Sequence, residues 1–362
     1  MAAAAPAPAP ELANDVMEEI LLRLPPDDPT CAARASAFCK HWRNLLTNDA
    51  IFRRRYAAFH RTPPVLGFIH PWPLDCRHGL ALFLSESSSS LDSLTVWDPI
   101  SGDLVRRLHL PPHIPINSYH RAAAIVSLSS SSASGECPNF GVVFVAAEGE
   151  WGGIASAWLY SSETGEWTPP STIADDQRSF AVDYKPSVVV GDAVYFLAHY
   201  GNNILRYDLI RMELTEFSSP EMDHNDALLM TTTDHGGGGV GLGLALTVSG
   251  RWLEIWSWNQ PETEKTAVAA GWVRRRVIEL YAVFPYITGK VDTRPCLIGF
   301  AEGTDVIFME TSDGVYGVEL TSLHVTRVLE SCPSQSLFPY MSFFFLGRQR
   351  DKLPTPKKYT VI

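Results

Sequence analysis

Apolar positions in the first fifty residues recur at helical spacing. Leu12, Val16, Ile20 and Leu24 stand four apart with Met17 and Leu21 beside them, so residues 12–24 predict one amphipathic helix. Asn14 is suited to cap it, and Asp15, Glu18 and Glu19 put negative charge near the positive end of the helix dipole. Pro25-Pro26 ends it. Pro29 to Phe38, rich in Ala and with Pro at the first position, predicts a second helix. Cys39 to Leu46 predicts a third, in which Trp42, Leu45 and Leu46 continue from Phe38 at i, i+4 and i+7/i+8. Asn48-Asp49 breaks this helix, and Ile51 and Phe52 begin a short coda. Helices this short bury little surface alone, and those with apolar residues to spare suit packing on a partner helix.

From Pro63 the texture changes to short apolar runs separated by turn residues. One unit recurs: a strand, a turn, a strand carrying an aromatic residue, a polar turn and a further strand. Its clearest copies are SLTVWDPISGDLVRRLHLPP, ASAWLYSSETGEWTPP and NILRYDLIRMELTEFSSP, with looser ones at RWLEIWSWNQ and DGVYGVELTSLHVTRVLE. The aromatic anchors Trp97, Trp158, Tyr207, Trp256 and Tyr316 recur every ~50–60 residues, the period of propeller blades with loop insertions. Each is preceded by an apolar run: HGLALFLS, FGVVFVAA, DAVYFLAH, GLGLALTV or DVIFMET. The stretch PYMSFFFLGR is suited to closing the ring by pairing with the first blade, which removes an exposed edge. The expected fold is therefore multidomain, α followed by all-β: a three-helix module, then a β-propeller of five or six blades. The sixth would draw on the weakly patterned stretches 170–185 or 330–350. Short evenly spaced strands also fit a β-sandwich or two.

Composition narrows the function. At 362 residues the chain has room for two domains, and 46% hydrophobic residues supply a core. A net charge of −11 argues against nucleic acid as the main partner, because phosphates would be repelled. The six cysteines form no CxxC pair and are expected to be free thiols in a reducing compartment. Met1 to Pro10 is an Ala/Pro tail without the features of a signal peptide, and no apolar run is long enough to span a membrane. The expectation is a soluble protein of the cytoplasm or nucleus, bound to no membrane.

The run from Leu12 to Phe52 resembles an F-box: LANDVMEEILLRLPP, then ASAFCKHWRNLLTNDAIF. The match lies at Leu12, Val16, Glu19, Ile20, Leu21, Arg23, Leu24, Pro25, Cys39, Lys40, Trp42, Arg43, Leu45, Leu46 and Phe52. By this resemblance the module binds a Skp adaptor and through it a cullin. The adaptor-binding residues are then expected among Leu12, Val16, Ile20, Leu21, Leu24, Pro25, Phe38, Cys39, Trp42, Leu45 and Leu46. Two departures bear on affinity. Ala13 replaces the family's Pro, and Cys31-Ala32-Ala33-Arg34-Ala35 replaces a Leu-rich second helix. The repeats resemble the kelch-like F-box-associated propellers that follow many plant F-boxes, in pattern and without the kelch Gly-Gly. The implied organisation is a disordered tail at 1–10, an F-box at 11–60, a propeller at 61–350 and a C-terminal tail at 351–362.

Other motifs carry less. His235-Gly236-Gly237-Gly238 mimics an esterase oxyanion loop, but no Gly-x-Ser-x-Gly elbow accompanies it. The glycines to Gly241 fit a dinucleotide fingerprint but lead into a strand, not a helix. Arg53-Arg54-Arg55 and Arg274-Arg275-Arg276 read as solvated surface charge. The eleven histidines include no HExxH, so no metal or other cofactor is expected. The chain thus reads as a non-catalytic substrate receptor of a ubiquitin ligase, its target unknown. The alternatives are a scaffold or decoy that binds the adaptor poorly, and a propeller enzyme with a titratable cluster in its channel.

Overall fold

The computed structural model describes residues 14–70, 73–85, 92–112, 114, 120–128, 139–147, 153–174, 181–199, 203–220, 226–233, 240–259, 271–284, 294–331, 336–343 and 360–361. The chain divides into two compact units, Met1–Pro64 with Ser342–Leu353, and Val65–Met341 with Pro354–Ile362.

The described residues of the first unit form four helices: α1 Asn14–Leu22, α2 Pro29–Phe38, α3 Lys40–Thr47 and α4 Ala50–His60. Asn14, expected as a cap, is the first residue of α1. Asp28 caps α2, its carboxylate accepting from the Thr30 amide at 2.9 Å. The Cys39 thiol accepts from the Trp42 amide at the start of α3. The expected three-helix module is a four-helix one, because the residues read as a coda form an eleven-residue helix. Asp49 nucleates it by accepting from the Ile51 and Phe52 amides at 2.8 and 2.9 Å. Phe52 and Tyr56 then face inward one turn apart, while Arg54 and Arg55 of the basic triplet are exposed. The core is Leu21, Leu22, Ala35, Leu45, Leu46, Phe52 and Tyr56. Among the described side chains of α2, only the small Ala35 is buried. Phe343, nearly three hundred residues along the chain, sets its ring edge-on to Tyr56 with centroids 5.8 Å apart.

The second unit opens with strand β1 Val65–His70. Blade one is β2 Pro73–Arg77, β3 Leu80–Ser85, β4 Ser93–Asp98 and β5 Asp103–His109. Blade two is β6 His120–Ser127, β7 Phe140–Ala147, β8 Ile154–Ser161 and β9 Ser171–Ala174. In blade three, β10 Ala181–Val182 and β11 Val188–Val190 share the inner edge of β12 Ala193–His199, followed by β13 Asn203–Asp208 and β14 Glu213–Ser218. Blade four is β15 Ala227–Thr233, β16 Val240–Val248, β17 Trp252–Asn259 and β18 Gly271–Glu279. Blade five is β19 Cys296–Phe300, β20 Val306–Thr311, β21 Gly314–Glu319 and β22 Val325–Leu329. A three-stranded sheet, β23 Phe338–Met341, β1 and β24 Thr360–Val361, joins the beginning of this unit to its last strands.

This is a five-bladed β-propeller with a closing sheet. The apolar run of each repeat is the blade's second strand, and its aromatic anchor sits on the third. The runs are apolar throughout because each is packed on both faces. In β7, Val142, Phe144 and Ala146 join a cluster with blade one, while Val143, Val145 and Ala147 join one with blade three. Similar clusters link blades three to four and four to five. Phe68 and Leu337 tie the closing sheet to blade five, and Ile69 and Tyr340 tie it to blade one. The C-terminal strand thus closes the ring by pairing with β1, upstream of the first blade, rather than with blade one itself. Gly299 makes this approach possible, since a side chain there would collide with the Leu337 carbonyl.

Replacing Asp49 by Ala leaves two amides of α4 without their cap and is expected to lower stability by about 1 kcal/mol. Chemical denaturation followed by helical circular dichroism measures this. An unchanged midpoint would show that the cap contributes nothing.

Candidate functional site

The sequence-predicted residues of the helical unit fall into two groups. Leu21, at 0% exposure, and Leu45 and Leu46 are core. Val16 and Ile20, one turn apart on α1, are 43% and 42% exposed, and Phe38 at the end of α2 is 76% exposed. Pro25 is exposed, and Leu24, Cys39 and Trp42 are half-buried. Leu12 and Ala13 lie outside the described residues. Val16 and Ile20 of the i, i+4 stripe thus lie on the outer face of α1, while Leu24 packs against the core with the adjoining Leu21 and Leu22. Phe38 leans on Trp42 with ring centroids 4.9 Å apart. The Trp42 indole N–H is buried without a hydrogen-bond partner among the described residues.

α4 fixes the end of α1. The Tyr56 hydroxyl donates to the Leu24 carbonyl at 2.8 Å, and His60 Nε2 lies 2.8 Å from the Leu22 carbonyl. Burial pushes the Tyr56 phenol up to about 12, so it remains a donor. Arg55 pairs with Glu18 of α1. Ile51, 64% exposed and expected only as part of a coda, and Phe59, 49% exposed, add apolar surface. The signal was present in Phe52, Tyr56 and His60 at i+4 spacing, interrupted to the eye by three consecutive arginines.

The propeller supplies a second cluster. The first strands of neighbouring sheets contact one another, so β2, β6, β10, β11, β15 and β19 line the centre of the ring. Arg77, at the end of β2, reaches across it. Its Nε donates to Glu302 after β19 at 2.7 Å, and its Nη1 donates to Asp75 at 2.5 Å and to the Ser187 hydroxyl before β11 at 3.0 Å. Nη2 donates to the Ser187 carbonyl. Asp75 accepts in turn from the Ile125 amide of β6 at 2.6 Å. One guanidinium and its partner carboxylate therefore join blades one, two, three and five. Lys185 of blade three pairs with Asp226, which accepts from the Leu297 amide of β19. Burial pushes the carboxyls of Asp75 and Asp226 above the ordinary aspartate range, while Arg77 and Lys185 pull them back. His78 and Gly79, both at positive φ, make the two-residue turn that carries the chain from Arg77 into β3.

At this level the centre of the ring carries two ion-paired clusters, Arg77 with Asp75 and Glu302, and Lys185 with Asp226, and they stitch blades together. The Cys76 thiol and His78 imidazole lie beside the first, and burial pushes the thiol up and holds the imidazole down. Among the described residues no group of His, Cys, Asp and Glu is placed to hold a metal ion. Among the described residues no helix is long and apolar enough to cross a membrane. The glycine-rich run 234–239 lies outside the described residues.

Comparison with known proteins agrees with the helical unit. Residues 10–54 match the F-box domain. No curated protein matches the chain. Among solved structures, it is similar to the β-propeller domain of Cps50 (Swd1) from Myceliophteria thermophila, with 10% identity, a TM-score of 0.35, and 71% of this chain and 72% of that one covered. It is also similar to a putative 6-phosphogluconolactonase from Bacteroides uniformis, with 13% identity, a TM-score of 0.39, and 72% and 67% covered.

Replacing Arg77 by Met leaves Asp75 and Glu302 without their cation. The expected cost is about 3–5 kcal/mol, the range for breaking a buried pair from one side. Adding Asp75→Asn and Glu302→Gln should recover part of it. Urea unfolding followed by tryptophan fluorescence reads both, and a single variant as stable as wild type would show that the pair does not hold the ring.

Proposed function

We propose that the chain is the substrate-recognition subunit of a Skp–cullin–F-box ubiquitin ligase. Its F-box binds the Skp adaptor, and its propeller binds a target protein. The observation that carries this reading is the exposed row on α1. Val16 and Ile20 stand in solvent on an F-box whose core is complete without them. Exposed apolar side chains grouped on one face mark an interaction surface, and on this fold the partner is the adaptor. Val16, Ile20 and Phe38, with Leu12, Pro25 and the half-buried Leu24, Cys39 and Trp42, make the adaptor surface. Leu21, Leu45 and Leu46 support it from beneath. The chain itself does no chemistry. It holds the target close to the ubiquitin-carrying enzyme, so that transfer becomes effectively intramolecular. The work is cytoplasmic or nuclear, and the propeller is of the kelch-like kind found with plant F-boxes.

A scaffold or decoy role is favoured by one feature: among its described side chains α2 buries only Ala35, where the family has leucines. A catalytic propeller has less support, since among the described residues Arg77, Asp75, Glu302, Lys185 and Asp226 at its centre are paired with one another.

Co-expression with a Skp adaptor separates these. The wild-type chain should form a stable complex. A Val16→Asp/Ile20→Asp variant should bind at least ~30-fold more weakly, as for loss of an interface hot spot, with its unfolding midpoint nearly unchanged. Leu21→Ala should instead lower stability by about 2–5 kcal/mol, as expected of a buried leucine. Equal binding by wild type and the Asp variant would refute the assigned surface. A folded wild-type chain that forms no complex would favour the scaffold or decoy role.

A further inference from the structure

Strand β18 is the outermost of blade four and pairs only with β17 among the described residues. At nine residues it is the longest outer strand of the five blades, whose others run to seven, four, six and five. Val273, Arg274, Arg275, Arg276 and Val277 are all exposed in succession. A bulge explains how three arginines in a row are arranged. Trp256 pairs with Arg274 and Ile255 with Arg276, so Arg275 is the extra residue. The bulge breaks the alternation of faces and turns Arg275 and Arg276 to the same side. Arg275 donates to the Ser257 hydroxyl at 2.6 Å and to the Asn259 side-chain oxygen at 3.3 Å, and Arg276 donates to the Leu320 carbonyl of blade five. Arg274, on the other face, pairs with Glu254. Neither Arg275 nor Arg276 meets a carboxylate among the described residues.

Two guanidiniums side by side, without a carboxylate among the described residues and in a chain of net charge −11, are a local excess of positive charge next to a row of backbone donors and acceptors that no described strand pairs. We propose that β18 is a docking edge for an extended acidic segment of the target protein. The segment adds as a further strand to blade four and sets its carboxylates on Arg275 and Arg276. This rests on the receptor reading above and names the kind of target. Main-chain pairing would supply affinity, and charge-assisted hydrogen bonds would supply selectivity. A second copy of the chain does not fit the edge, because its own arginines would face these. Nor does the C-terminal end, which carries Arg348, Arg350, Lys352, Lys357 and Lys358 against Asp351.

The test is fluorescence anisotropy with the full-length chain and a labelled peptide of alternating glutamate and valine. Binding should be saturable and weaken with salt. Arg275→Gln/Arg276→Gln should bind about ten-fold or more weakly, as for loss of two charge-assisted bonds, while Arg275→Lys/Arg276→Lys keeps most of the affinity. The same peptide N-methylated at alternate amides should lose binding to a similar degree. No binding to wild type, equal binding by the Gln variant, or equal binding of the N-methylated peptide would each overturn the proposal. All variants are checked for an unchanged melting temperature. Adaptor binding, measured in parallel, is expected to be the same for all of them, so loss of the edge is told apart from failure of the receptor reading.

Discussion

Sheets arranged around an axis hold together pairwise, through apolar clusters between neighbours, and nothing in those clusters fixes sheets that do not touch. Arg77 supplies that constraint. From blade one it binds blade three through Ser187 and blade five through Glu302, while its partner Asp75 binds blade two. Burial of Arg77 disfavours its charge, and the two carboxylates more than restore it. Lys185 and Asp226 repeat the device between blades three, four and five. The centre of the ring is therefore set by directional bonds, and its rim is left free to carry long edges such as β18.

The helical unit follows the opposite logic. Its core is a small apolar cluster of leucines and two aromatics, with Phe343 packed beside it. What it leaves outside is as informative as what it buries. Moving one position along α1, from Ile20 to Leu21, passes from exposed to fully buried. A helix with apolar residues on two adjoining rows has one row for its own fold and one for a partner.

Much of this was legible in the sequence, for physical reasons. Second strands packed on both faces must be apolar throughout, so FGVVFVAA and its counterparts stand out, and a large aromatic beside each marks the third strand. Helix α4 was hidden because Arg53, Arg54 and Arg55 interrupt its apolar spacing, although Asp49 stands ready as its cap. The closing sheet was half visible: of the expected stretch PYMSFFFLGR, Pro339–Met341 falls in β23 and residues 344–348 lie outside the described residues, and the partner β1 was not expected. The Arg77 network was not legible at all, since Asp75, Ser187 and Glu302 are brought together only by closure of the ring. Nor does an i, i+4 stripe reveal which of its members face in or out: Val16 and Ile20 are exposed, while Leu24, the next position of the same stripe, packs against the core.

Hydrogen–deuterium exchange of the full-length chain, with and without a Skp adaptor, tests the central claim most directly. Docking on α1 and on the Phe38–Trp42 pair should slow exchange in peptides covering residues 14–25 and 38–47 and leave the blades unchanged. Protection confined to the propeller, or no protection at saturating adaptor, would contradict the account.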